Sequence, residues 1–247
     1  MTAKFNPCIL IPVYNHEGPL PKIVEQLAFY QLPCILVDDG SRESCAEIIR
    51  SLSSLYSWVQ AIRLDSNRGK GGAVKVGLLL AHDQGFSHVV QIDADGQHNL
   101  FDLEKFLVTS RLTPEAVVIG QPIFDDSIPK LRYYARYLTH IWVHINTLSF
   151  RICDSMCGYR VYPVDTCMKL IQTTALEDRM AFDVEILVRL DWQGVPVVSI
   201  PTHVGYPQDG VSHFRGGEDN LRISLTHARL FFGMLQRMHK LLPRHFQ

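Results

Sequence analysis

The sequence predicts a single α/β domain on a mostly parallel sheet, with an amphipathic helix appended at its C-terminal end. Three features predict it. Short runs rich in Ile and Val alternate with helix-length stretches through the first half of the chain, the pattern of βαβ units. Those runs are apolar throughout, as in strands covered on both faces. Polar residues gather directly after the runs, and in such sheets ligands bind beyond the carboxyl ends of the strands.

Taken in order, strands are expected at Cys8–Val13, Cys34–Val37, Val59–Leu64, His88–Ile92 and Ala116–Ile119. Between them, Pro19–Tyr30, Arg42–Leu55, Gly71–Gln84 and Leu100–Arg111 read as helices, with right-handed crossovers. Asp39 or Ser41 is expected to cap the second helix. The second half is less regular. Ile128–Phe150 reads as a long helix that is both basic and aromatic, Gly158–Pro163 and Val195–Ile200 as strands, and Phe182–Trp192 as a helix. Residues 219–242 form a last helix that Pro243 ends. Residues 1–218 are the expected main domain and 219–247 the appended helix.

Composition excludes several classes. Of 247 residues, 47% are hydrophobic and 20% charged, which is globular and not disordered. A formal charge of −1 gives no support to nucleic-acid binding. No apolar run approaches the roughly 18 to 20 residues that span a bilayer. The N-terminal run ends at Pro12 without signal-peptide features and reads as a strand. Six cysteines without paired spacing suggest a reducing, cytoplasmic setting, and the Cys153, Cys157, Cys167 group lacks the second close pair typical of zinc. The near-neutral total conceals an asymmetry. Residues 219–247 hold five cations and one anion, a net of +4, so the rest of the chain is −5. There Leu221, Leu225, Ala228, Phe232, Leu235 and Leu242 recur at helical spacing beside a polar stripe with Arg222, Arg229 and Lys240. Such a helix either packs its apolar face on the domain or lies at a membrane surface.

The strand ends carry the chemistry. The first is followed by Pro12-Val13-Tyr14-Asn15-His16-Glu17, the second by Asp38-Asp39-Gly40-Ser41, and the fourth by Asp93-Ala94-Asp95-Gly96-Gln97-His98. In extended chain, Asp93 and Asp95 point the same way. Adjacent carboxylates repel unless a cation lies between them or one is protonated. Mg²⁺ or Mn²⁺ with open positions for phosphate oxygens resolves that repulsion, with Gln97 or His98 as a further ligand. As a lone motif, the same residues are also a strand-end turn. Asn67-Arg68-Gly69-Lys70-Gly71-Gly72-Ala73 allows close backbone approach at a helix start that favours anions, without being a Walker A loop.

Together these residues resemble the family 2 glycosyltransferases of the GT-A fold, a Rossmann-like α/β domain. The resemblance rests on Ile9–Asn15, Val37–Ser41, Asn67–Ala73, Gln91–His98, Cys157–Arg160 and Phe182–Leu187, in matching order and spacing. It looks closest to the dolichyl- and polyprenyl-phosphate sugar synthases. The resemblance implies that Pro12, Tyr14, Glu17 and Asp39 hold the base and ribose of a UDP- or GDP-sugar donor. It implies that Asp93 and Asp95, with Ala94, Gln97 and Lys70 beside them, bind the metal and the donor diphosphate. Arg132, joined by Arg136, would contact the diphosphate or the acceptor phosphate, and Ser212–Arg215 matches a loop that closes over the donor. Two departures stand out: Gln121-Pro122 follows Gly120 where relatives often have Ser-Arg, and Cys157-Gly158-Tyr159 replaces Ser-Gly-Phe. The first removes a cation from the acceptor side.

The implied reaction is inverting transfer of a sugar to a lipid-linked or cell-envelope acceptor. A hydroxyl acceptor needs a general base, with Asp183 the first candidate and Glu185 the second, whereas a phosphate acceptor needs none. Glu185 has the competing reading of a helix-surface pair with Arg189, and Asp154 that of orienting the Gly158 loop. Two other classes are weighed against this one. A nucleotidyltransferase would carry a Gly-rich basic loop after the first strand, and a non-catalytic binding module would lack Asp93, Asp95 and Gln97.

Overall fold

The chain forms β1 (Pro7–Val13), α1 (Leu20–Leu27), β2 (Cys34–Asp38), α2 (Glu43–Leu55), β3 (Val59–Arg63), α3 (Lys70–Asp83), β4 (His88–Gln91), α4 (Leu103–Leu112), β5 (Val117–Phe124), α5 (Lys130–Thr147), β6 (Arg160–Pro163), α6 (Val164–Thr173), α7 (Phe182–Trp192), β7 (Val197–Val204) and α8 (Gly216–Leu241). This is a computed structural model that describes residues 5–124, 130–205 and 216–245, the side chains of 130–133, 135 and 245 excepted. The strands make one sheet in the order β3-β2-β1-β4-β6-β5-β7. Pairing is parallel except at β6, which runs antiparallel to both β4 and β5.

Alternation along the strands divides the core between two faces. On one, Cys8, Leu10, Ile35, Val37 and Val89 pack with α3, α6 and α7. On the other, Ile9, Ile11, Val13, Leu36 and Val90 pack with α1, α2 and α4. This double cover is why the runs are apolar at every position. At Gly77 in α3, a Cβ would overlap the Leu10 side chain, so the missing side chain lets the helix sit close over β1.

The sheet is mostly parallel, as expected, and two element bounds differ from expectation. β6 is the sheet's antiparallel member: Arg160 lies opposite Gln91, the last residue of β4, so the chain enters β6 from the end where β4 stops. β5 does not end at Ile119 but runs to Phe124, paired along its length with β7 while β6 meets it only at Val118 and Ile119. Pro122 is tolerated there because no strand among the described residues lies on its other side to need its N–H. Helix α6 leaves Pro163 directly, with no side-chain cap in the sequence to mark its start. The last helix begins at Gly216, earlier than expected, and ends at Leu241, after which a 3₁₀ turn, Leu242–His245, carries the chain through Pro243.

Helix α8 packs against α5 and α7 through Thr226, His227, Leu230, Met234 and Leu241. Burial of Leu230 or Met234 stabilises by about 1.5–3 kcal/mol each. Gly233 admits the Trp192 ring, with Arg237 over it at 4.8 Å. The leucine stripe is not the packing face. Leu221, Leu225, Ala228, Phe232 and Leu235 point away from the domain and are exposed, so the reading in which this stripe packs on the domain is overturned. The surface that does pack is more polar and is filled by a histidine and a glycine, residues that helical hydrophobicity does not single out.

Candidate active site

Pro12 is buried at the end of β1, opposite Val37, and Tyr14 follows it, partly exposed. Asn15 adopts a left-handed conformation (φ 53°), which asparagine tolerates. Its backbone N–H donates to Ser41 Oγ (3.0 Å), and its Oδ1 accepts from the Arg42 amide (2.8 Å). The start of α2 is therefore held by a side chain from the neighbouring strand end. Neither Asp39 nor Ser41 caps that helix as expected, because both are committed elsewhere. Glu17 accepts from the Arg42 guanidinium.

After β2, Asp38 Oδ1 accepts from the Ser41 amide (2.8 Å) and Oδ2 from Arg63 (3.1 Å). Gly40 has φ 68°, and a Cβ there would meet the Asn67 amide nitrogen at 2.7 Å, so the turn requires glycine. Asp39 is buried and accepts from the Arg68 amide (2.7 Å), the Gly69 amide (2.8 Å) and Asn67 Nδ2 (3.0 Å). Burial pushes its pKa up in spite of these donors. Its observed work is to pin the turn that leads into α3.

That turn sets Lys70 in place, but the glycines approach protein and not phosphate. A Cβ on Gly71 would overlap Phe182, and one on Gly69 would meet Asp178 O at 2.7 Å. The Gly72 amide, one of the first-turn donors an anion would use, donates to Asp178 O (2.8 Å). The glycine-rich start of α3 is thus a close contact with the segment entering α7. It brings Lys70 Nζ to 2.7 Å from Asp183 Oδ2 and to 2.8 Å from Asp93 Oδ1. Burial alone would lower the Lys70 pKa, but the charges of Asp183 and Asp93 outweigh it and raise it above the ordinary lysine value.

Asp93 lies just beyond β4. Burial acting alone would raise its pKa, yet Lys70, helped by His98, holds it well below the usual carboxylate range. Gly158 presses against it so closely that a Cβ would overlap the carboxylate. Ala94 is buried. Asp95 is not in extended chain beside Asp93, as the spacing had implied. Residues 94–96 turn, with Gly96 at φ 73°, and Asp95 Oδ1 accepts from the Gln97 amide (3.0 Å). In this structure the partner that relieves repulsion at Asp93 is a lysine. Gln97 O accepts from the Gly205 amide (3.1 Å), so the chain leaves β7 against the same turn. Ser212–Arg215 lie outside the described residues, as does the Arg132 side chain.

Arg160 closes the Cys157–Arg160 motif, and the sequence alone assigns it no role. It is fully buried and donates to Cys157 O (2.7 Å), Ser155 O (2.8 Å), Asp183 O (2.8 Å) and Tyr162 Oη (2.9 Å), with Asp183 Oδ1 at 3.7 Å. One guanidinium therefore ties the loop before β6 to the start of α7. The available signal was a charge inside an apolar strand. Asp154 orients the same loop, accepting from the Met156 (2.8 Å) and Cys157 (2.7 Å) amides. Arg136 is paired with Asp154 through two 2.6 Å bonds and is committed there. Glu185 is buried and accepts from the Glu177 amide (2.7 Å) and Arg189 (2.9 Å). The Arg189 pair exists, but in the interior instead of on a helix surface, and both oxygens of Glu185 are in use. That removes it as a candidate base.

A divalent cation fits these groups. Asp93, Asp95 and the side-chain oxygen of Gln97 offer hard oxygen donors, and the ring nitrogens of partly buried His98, with Nε2 at 3.7 Å from Asp93 Oδ2, make no hydrogen bond among the described residues. No cluster of three or more His, Cys, Asp or Glu side chains is arranged around a metal position among the described residues. Most of the coordination would thus come from diphosphate oxygens and water, as is usual for Mg²⁺.

Comparison with known proteins gives the setting. The model of the family described as Glycosyl transferase family 2 matches residues 8–179. The chain is 27% identical over 213 residues to a dolichyl-phosphate β-glucosyltransferase of Dictyostelium discoideum, covering 78% of this chain and 64% of that protein. It is 30% identical over 204 residues to the enzyme of that name from Drosophila melanogaster, covering 72% and 60%. It thus spans about three fifths of the length of these curated relatives. Glucosyl-3-phosphoglycerate synthase from Mycobacterium tuberculosis, solved with Mn²⁺, UDP-glucose and phosphoglyceric acid, superposes with a TM-score of 0.66 at 14% identity, over 94% of this chain and 80% of that one. That likeness is one of fold, the GT-A arrangement the motifs imply.

Proposed function

This chain belongs to glycosyl transferase family 2, and on that premise we propose that it transfers a sugar, with inversion, from a nucleoside-diphosphate sugar to a lipid-linked phosphate at a membrane surface. UDP-glucose is the first donor to consider, after the relatives' names and the solved complex. The observation that carries the proposal is the meeting of Asp93, Lys70 and Asp183 beside Asp95, at the carboxyl ends of the strands.

In this reading Pro12, Tyr14, Glu17 and Asp39 line the nucleoside side. Asp93, Asp95 and Gln97 hold Mg²⁺ or Mn²⁺, which when bound stabilises the charge developing on the leaving diphosphate. Lys70 is a second cation close enough to share that charge, held in place by Asp183 and fixed before the reaction begins. Arg132 serves the diphosphate or the acceptor phosphate. Asp183 has one oxygen bonded to Lys70 and the other facing Arg160. It is therefore suited to positioning the ammonium more than to taking a proton, which favours an acceptor that is already an anion. A hydroxyl acceptor with Asp183 as base is the second reading.

Incubation with UDP-glucose or GDP-mannose, Mn²⁺ and dolichyl phosphate tests the proposal. Nucleoside diphosphate and a glycolipid should form together, dependent on acceptor and on metal. Release of pyrophosphate, or donor binding without turnover under every combination, would overturn it in favour of nucleotidyl transfer or a non-catalytic module.

A further inference from the structure

Helices α5 and α8 pack side by side as an outer layer, joined where the Trp142 ring meets Phe231 edge-on at 6.3 Å. Both are turned in an unusual sense. On α5, Val143 and Asn146 face the domain, while Leu138 (59% exposed) and Ile141 (52%) face away. On α8, Leu230 and Met234 face the domain, while Leu221 (62%) and Phe232 (64%) face away. The outward residues recur at helical spacing on each helix, so the layer presents one apolar face directed away from the sheet. An apolar surface of this kind on a globular domain marks an interaction site.

Charge selects the occupant. Residues 130–147 carry three cations and no carboxylate, and residues 216–245 carry five cations against two, a net of +6 for the layer. The whole chain is −1, so the remainder is −7. A second copy docked face to face would set one +6 layer against another, because a two-fold interface pairs a patch with itself. An anionic bilayer complements the layer in both respects, taking the apolar residues into its interface and the exposed cations of α8, Arg222 and Lys240 among them, at its headgroups, while Arg136 stays paired with Asp154.

We infer that the outward face of α5 and α8 together is a docking surface for an anionic lipid bilayer. The inference deepens the lipid-acceptor reading by naming the surface that meets the membrane, and α5 supplies half of it. It rests on that reading only for its biological sense.

The test is co-sedimentation of the full chain with phosphatidylcholine vesicles, with and without phosphatidylserine, at low and high salt. Binding should require phosphatidylserine, weaken with salt, and fall about tenfold or more for Leu138→Glu and for Phe232→Glu separately. Both positions are exposed, so the variants should keep the parent circular dichroism and melting temperature. No binding to either vesicle, or unchanged binding in both variants, would overturn the inference. So would a dimer in light scattering that the same substitutions split, since the face would then belong to a second copy. None of these readouts involves turnover, so failure of the glycosyl-transfer assay leaves them intact.

Discussion

Lys70 joins two carboxylates that are 90 residues apart in the chain, and its place makes the roles of Asp93, Asp95 and Asp183 separable. Asp95 bonds only to the Gln97 amide among the contacts described, so Asp95→Ala should abolish transfer while changing stability by no more than about 0.5 kcal/mol, read by turnover with excess Mn²⁺ and by denaturant melts. Near-parental turnover would refute the metal assignment. Asp183→Asn distinguishes the acceptors. With a phosphate acceptor kcat/KM should fall only modestly, whereas a base for a hydroxyl would cost about 10²–10⁴ in rate. Arg160→Met removes four buried hydrogen bonds and the cation facing Asp183, and should destabilise by about 3–5 kcal/mol in a urea titration. At this scale the sequence displays the acidic residues plainly. It does not display their partners, since nothing local to Asp93 or Asp183 names Lys70 or Arg160.

Among the elements, the first four strands and the helices between them follow from pattern alone, because each is a local periodicity with a local turn after it. The exceptions are the places where an element is set by a distant neighbour. β5 extends past Gly120 because β7 runs beside it, and β6 reverses because its entry point is fixed at the end of β4. The glycines that open α3 look like a phosphate-binding turn but answer to Phe182 and Asp178, both over a hundred residues away in the chain. Gly71→Ala tests that reassignment. The added methyl has no room against Phe182 Cβ and should cost about 1–3 kcal/mol, seen as a lower urea midpoint at unchanged slope. A variant as stable as the parent would mean that the α3–α7 contact is looser than described.

The molecule as a whole divides its charge, with a basic apolar layer on one side and an acidic body carrying the site. Between α5 and α8, His227 is buried, 3.2 Å from Asn146, and burial lowers its pKa to about 4. An unfolded chain protonates this histidine near pH 6.5, while the folded one resists until about pH 4. Stability from this group is therefore complete above about pH 6.5 and declines as pH falls towards 4, by up to about 3 kcal/mol. Buried His88, also lowered, acts in the same direction. Melting temperatures measured from pH 7.5 to 4.5 should fall, and His227→Leu should flatten the curve; an unchanged slope in that variant would show that other groups carry the pH dependence.

From its sequence alone this chain determined its α/β class, the strands whose ends gather polar groups, the family those ends belong to, and the excess of cations in its last helix. Each of these is written in neighbouring residues, through period, turn chemistry or motif. Only the tertiary structure decided that Lys70 lies between Asp93 and Asp183, that Arg160 fastens the loop before β6 to the start of α7, that Glu185 is paired in the interior, and that the apolar stripe of α8 faces outward beside that of α5. Those outcomes depend on which buried groups find partners of opposite charge or matching shape once distant segments meet. Helical periodicity identifies an apolar stripe equally well whether it is turned towards the core or away from it.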